Sequence, residues 1–153
     1  MGLDCSHDAF HGAYSAFNSF RQVICKAFGG SFPPHNFKGF KNGVITRDML
    51  LGKEQPLDNN MIYFNDPTDE NTVEVPDGLY LFLTHSDCDG DISPELCIKV
   101  ADDLEQLLPK IKAMTGTPWS GSIEHAGGYE EATKKFIDGC RLAARKNEPL
   151  LFR

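Results

Sequence analysis

Apolar side chains recur three and four residues apart through Phe10, Ala13, Phe17, Phe20, Ile24 and Phe28, with Ser6 before them and Gly29-Gly30 after. That period marks a helix that must bury one face, and a serine N-cap with paired glycines as a stop brackets it. The spacing predicts an amphipathic helix over residues 7 to 28. Such a face needs a second layer to cover it, and the rest of the chain is read for that layer.

Ser93-Pro94-Glu95 opens another helix, with a cap, a proline in the first turn and an early acid. Cys97, Val100, Ala101, Leu104, Leu107 and Leu108 then form its apolar face, and Pro109 is expected to end or kink it. A last helix runs from Tyr129 to Lys146 with Ala132, Phe136, Cys140 and Ala143 inward. Met61-Ile62-Tyr63-Phe64 and the apolar run Leu79-Tyr80-Leu81-Phe82-Leu83-Thr84 read as strands able to pair antiparallel, with Thr72-Val73-Glu74-Val75 as an edge strand. The expected architecture is α+β: about three amphipathic helices packed on a small, mainly antiparallel sheet. No repeat or linker divides residues 1 to 153, so one domain is expected.

The formal net charge of −7, with no run of Lys or Arg, argues against binding duplex nucleic acid through its phosphates. No apolar run approaches 18 residues, and Met1-Gly2-Leu3-Asp4 is followed by polar residues rather than an apolar stretch, so neither a membrane span nor secretion is expected. Five cysteines, odd in number and without a CxxC pair, argue against a disulfide framework and for a reducing cytoplasm. Cys25, Cys97 and Cys140 fall at helical core positions, where inert buried thiols are common.

Two polar features stand out. If residues 7 to 28 are helical, His7 and His11 share a face, with Asp8 between them and Asn18 and Cys25 continuing the stripe; that line suits a metal ion or the border of a ligand groove. The second is His85-Ser86-Asp87-Cys88-Asp89-Gly90-Asp91, at the end of the expected strand and before a helix, where ligand sites gather. Alternating carboxylates there suit a hard divalent cation. An EF-hand fits badly, since alignment on Gly90 puts Leu96 where the bidentate acid belongs. The two features would meet if the first helix packs beside the strand end, giving His7, His11, His85, Asp87 and Asp89 as ligands for Zn or Mn. His7, His11, Asn18 and Asp87 also form a candidate ligand-binding set, and Trp119, in a Pro-Trp-Ser-Gly loop, is an aromatic placed to stack on a ligand. Glu124 and His125, before the last helix, are further candidates, while His35 sits beside two prolines. Cys5 and Cys88 neighbour histidines in sequence, which rarely makes a catalytic pair.

The string His85-x-Asp87-x-Asp89-Gly90 resembles the first motif of the DHH phosphoesterases, which implies manganese and a bound water as nucleophile. No Asp-His-His follows, so the resemblance covers about ten residues. More broadly, MGLDCSHDAFHGAYSAF, LTHSDCDGDIS and KKFIDGC look similar to small uncharacterised proteins of phages and bacteria. That resemblance implies a cytoplasmic accessory protein, in the host cytoplasm if phage-encoded, acting in counter-defence. The first functional expectation is therefore a protein that sequesters a small ligand, such as a nucleotide-like immune signal, or blocks a host protein. A divalent-metal hydrolase or phosphoesterase and an acidic immunity-type protein are the alternatives, and self-association is left open.

Overall fold

A computed structural model describes residues 2–28, 37–38, 73–85, 90–113 and 128–153. Along the chain run β1 (Gly2–Asp4), a single 3-10 turn (Ser6–Asp8), β2 (His11–Ala13), α1 (Tyr14–Phe28), β3 (Phe37–Lys38), β4 (Val73–Glu74), α2 (Asp77–Thr84), β5 (Asp91–Ile92), α3 (Pro94–Ala113), α4 (Gly128–Arg145) and β6 (Leu150–Leu151). Among the described residues, four α-helices and short strands make the class α+β. The described strands form three two-stranded ladders, and the described helices pack chiefly on one another, most extensively α3 on α4. β1 pairs antiparallel with β2, and β5 with β6, while β3 and β4 run parallel.

Two expectations are overturned. The first helix begins at Tyr14, not at residue 7, because residues 2 to 13 form a hairpin around the 3-10 turn. His7 and Asp8 there hold φ of 57° and 56°, a left-handed conformation no right-handed helix can pass through. Phe10 is buried as the sequence demanded, but from the hairpin, and Ala13 is exposed. What defeats local propensity is a long-range pairing: Asp4 and Arg153 exchange backbone hydrogen bonds of 2.9 and 3.1 Å, and Cys5 bridges Phe152.

The second correction is the run 79 to 84, which is helix α2 rather than a strand. Leu79 to Leu83 are all buried, so every face of this two-turn helix is apolar and no period survives to separate helix from strand. Its pairing with residues 61 to 64 is thereby removed; those residues, with the rest of the segment from 39 to 72, lie outside the described residues. α3 begins where expected, Ser93 Oγ accepting from Leu96 N–H at 3.4 Å. It continues through Pro109 to Ala113. The hydrogen bond that Pro109 cannot donate would fall on an exposed face, where water replaces it.

A short helix buried on all sides leaves its terminal amides and carbonyls without water. Both ends of α2 receive charged partners from elsewhere. Leu79 N–H donates to Asp103 Oδ2 of α3 at 3.1 Å, at the positive end of the helix dipole. At the negative end, Nη2 of the buried Arg21 on α1 donates to the carbonyl of His85. The Arg21 guanidinium also lies 4.4 Å from the Phe17 ring centre, a cation–π contact strengthened by exclusion of water. Phe82 of α2 meets Phe20 at 5.2 Å and Phe136 at 5.0 Å, both edge-to-face, which centres the aromatic core on this helix.

Gly78 lets α2 and α3 touch by backbone: a Cβ there would collide with the Lys99 carbonyl and sit 2.6 Å from Asp103 Oδ2. Gly78→Ala should therefore destabilise the protein by about 1–3 kcal/mol, the usual cost of overpacking, read as a lower urea midpoint at unchanged slope. Arg21→Met keeps much of the volume but leaves the His85 carbonyl without its charged donor. A loss of about 2 kcal/mol is expected, and an unchanged midpoint would show that the α2 terminus does not need this cap.

Candidate functional site

A groove of about 1070 Å3 lies between residues 7 to 16 and one face of α4. Its α4 wall carries Glu131, Lys135, Asp138, Leu142 and Arg145, spaced three and four residues apart and so on one side of the helix. Ala9, Phe10, Ala16, Ala132 and Gly139 make the floor apolar and low. Gly139 is what allows the two walls to approach. A Cβ at that position would lie 2.5 Å from Ala9 Cβ and 2.7 Å from Ala9 Cα, so only hydrogen fits there.

The opposite wall begins at the left-handed pair His7–Asp8. Holding two successive non-glycine residues there costs on the order of 1–3 kcal/mol each, although His and Asp are among the residues that accept it best. The ring of His7 is tied at both nitrogens: Nε2 lies 3.2 Å from Glu148 Oε2, and Nδ1 lies 2.9 Å from Ser6 Oγ. Ser6 Oγ in turn accepts the backbone N–H of Leu151 at 2.8 Å. With Nε2–H donating to the carboxylate, Nδ1 is left as an acceptor and the Ser6 hydroxyl donates to it. The result is a directed chain, Leu151 N–H to Ser6, Ser6 O–H to His7 and His7 N–H to Glu148.

Charges around the groove are mixed. Lys135 Nζ lies 3.3 Å from Asp8 Oδ1, and Lys134 Nζ lies 3.2 Å from Glu130 and 3.6 Å from Glu131. Arg145 and Asp138 line the same wall without an ion pair among the described residues. These pairs are exposed and contribute little to stability; their consequence is that a ligand finds both signs of charge over an apolar floor.

The sequence-derived candidates divide accordingly. His7 and His11 both line the groove, though from a hairpin rather than one helix face, and His11 Nδ1 makes an exposed 3.5 Å pair with Asp4. Asn18 is exposed on α1 and is not part of the groove lining. His85 lies elsewhere: it is buried, its ring centre is 4.1 Å from that of Phe152, and its Nε2 donates to the Asp91 carbonyl at 3.0 Å. It is not part of the groove, so the expected union of the two histidine features does not form there. Asp87, Asp89 and Trp119, together with His35, Cys88, Glu124 and His125, lie outside the described residues. Among the described residues no three His, Cys, Asp or Glu side chains gather as metal ligands.

Ser6 and Glu148 were not singled out as site residues by the sequence, since 141 positions separate His7 from Glu148 and Ser6 reads locally as a helix cap. The stripe 131, 135, 138, 142, 145 was legible as the outer face of α4, without a signal that anything faced it. Neither protein-family models, nor curated proteins, nor solved structures yield a match to this chain.

Burial holds the thiols of Cys5 and Cys25 in their neutral form. Cys5 and Cys25 are both pushed up to about 12 by burial, with Asp4 adding to the shift at Cys5 and Arg21 opposing it. Cys140 is pushed well up by its hydrogen bond with Cys97 and by burial. Folding thus holds Cys5 and Cys25 neutral, and the stability gained is complete below pH 9 and lost as pH rises through about 12. Iodoacetamide at pH 8 should leave these two sites unmodified in the folded protein and alkylate them in urea. Peptide mass mapping checks this, and fast native alkylation at Cys5 would contradict the burial.

Proposed function

We propose that this protein binds and sequesters a small amphiphilic ligand in the groove between the His7–Asp8 hairpin and α4. The observation that carries the reading is the groove itself: its volume matches the upper range of small-ligand sites, with an apolar floor and a few convergent polar groups. A flat ring or acyl group fits the Ala9, Ala16 and Gly139 floor. An anionic group fits the wall carrying Lys135 and Arg145, with Arg145 needing no displacement from a carboxylate. A nucleotide combines these properties in one molecule. The resemblance to small phage and bacterial proteins supports placing that role in the cytoplasm, as capture of a nucleotide-like signal in counter-defence. Obstruction of a host protein through the same open groove is the other form this role can take.

The test is thermal shift across linear and cyclic nucleotides and non-nucleotide anions, followed by calorimetry on the best. A ligand at one hundred times its Kd stabilises by about 2.7 kcal/mol, which for a chain of this length raises Tm by roughly 5–10 °C. Arg145→Glu should weaken such a ligand at least tenfold without lowering the melting temperature of the free protein. Absence of a shift with every compound at millimolar concentration, or affinity indifferent to Arg145→Glu and Lys135→Glu, would sink the reading.

A further inference from the structure

We propose that Ser6 is a nucleophile, His7 its general base, and Glu148 the residue that positions that base, forming an acyl-transfer site at the lip of the groove. Three observations support it. The contacts have the polarity nucleophilic catalysis needs: Ser6 Oγ to His7 Nδ1 at 2.9 Å, and His7 Nε2 to Glu148 Oε2 at 3.2 Å, a base held by a third group. The His7 backbone sits in a left-handed conformation, φ 57° and ψ 25°, and strain of that kind clusters where a side chain must be aimed. Finally, His7 lines the groove, so the relay opens on a cavity able to deliver a substrate, and Ser6 beside it is half-buried rather than enclosed.

The Leu151 N–H fixes the serine rotamer. A hydroxyl has one proton and two lone pairs; the proton goes to Nδ1, one lone pair takes the Leu151 amide, and the other is left to attack. In the reaction Oγ adds to the carbonyl carbon of an ester while its proton passes to Nδ1, and Glu148 balances the imidazolium. Nδ1 then returns the proton to the departing alcohol as the ester C–O bond breaks, leaving an acyl-serine. Water then adds to the acyl carbon as its proton passes to Nδ1, and the carbon–Oγ bond breaks as Nδ1 gives that proton to Oγ, releasing the carboxylic acid and restoring the serine hydroxyl and the neutral imidazole. The Lys135 ammonium, held beside Asp8, brings positive charge to the same lip.

The ligand-binding reading is used only for substrate delivery, so the two can fail separately. The protein treated with a fluorophosphonate probe should be labelled once, at Ser6, by peptide mass spectrometry. His7→Asn, which tolerates the left-handed backbone, should slow labelling at least a hundredfold, the scale of general-base assistance. Glu148→Gln should slow it about tenfold at unchanged Tm, and Glu148→Asp should restore part of the rate, which a purely structural contact would not do. Because Ser6→Ala also removes the acceptor for Leu151, Ser6→Cys serves as the second variant: iodoacetamide at pH 7 should alkylate position 6 faster than a free cysteine, and His7→Asn should abolish the excess. No label at Ser6, or labelling and alkylation both indifferent to His7→Asn, overturns the proposal. Nucleotide binding retained in that outcome leaves the groove's binding role standing.

Discussion

Everything in this fold is arranged around a two-turn helix with no polar face. α2 buries its apolar surface completely, which is a gain only if its terminal amides and carbonyls are not stranded. The solution is two charged side chains from neighbouring helices, a carboxylate at the end where N–H groups point outward and a guanidinium where carbonyls do. Burial pushes the Asp103 carboxyl above its ordinary range, while the amides of Leu79 and Gly78 pull it back. The caps also fix geometry: Asp103 locks α3 against α2 where Gly78 allows backbone contact, and Arg21 ties α1 to the end of α2 through the His85 carbonyl. The positions of α1 and α3 are thus set by the electrical needs of α2 as much as by the phenylalanines packed on it.

The candidate site depends on a second constraint, the pairing of residues near the two ends of the chain. Asp4 with Arg153 and Cys5 with Phe152 hold the first strand against the last, which brings Ser6 under Leu151 and His7 beside Glu148. The unfavourable backbone of His7 and Asp8 persists because it is fixed on both sides, by these hydrogen bonds and by the contact of Ala9 with Gly139. The groove is what remains between that pinned segment and the polar face of α4. Its shape follows from one missing methyl group and its chemistry from a turn that a free peptide would not adopt.

Most of the helical framework was readable from residue spacing. α3 announces itself through its cap and a 3.6-residue period and α4 through the period alone, and the residues that the spacing selects are buried apart from Leu108 and Ala132, which are half-buried. The hairpin did not, because Phe10 satisfies the helical period by coincidence and nothing within residues 2 to 13 reveals a partner almost 150 positions away. α2 was misread for a different reason: a run that is apolar on all sides has no periodicity, and its leucines and aromatics suit a buried strand equally well. Of the candidate site, His7 and His11 were visible as polar residues near a core element. The helical start at residues 7 to 13 and the strand 79 to 84 on which their grouping with His85 rests are a hairpin and a helix instead, and Asp87 and Asp89 lie outside the described residues. The partners of His7 were invisible, since contact between Ser6 and Glu148's neighbourhood is a property of tertiary pairing alone.

That pairing also sets a timetable. Closing a loop of nearly the whole chain carries an entropic cost that grows only slowly with length, but it cannot be met before both ends exist. On a ribosome, α1, α2 and α3 can gather and shield the aromatic core while the first thirteen residues still lack their partner strand. Ser6 and His7 would then wait, unstrained and uncoupled, until residues 150 to 153 emerge and Phe152 docks. The nascent protein would acquire its core well before its groove, and removing residues 150 to 153 would unpin the turn at His7 and Asp8 while sparing most of the helices.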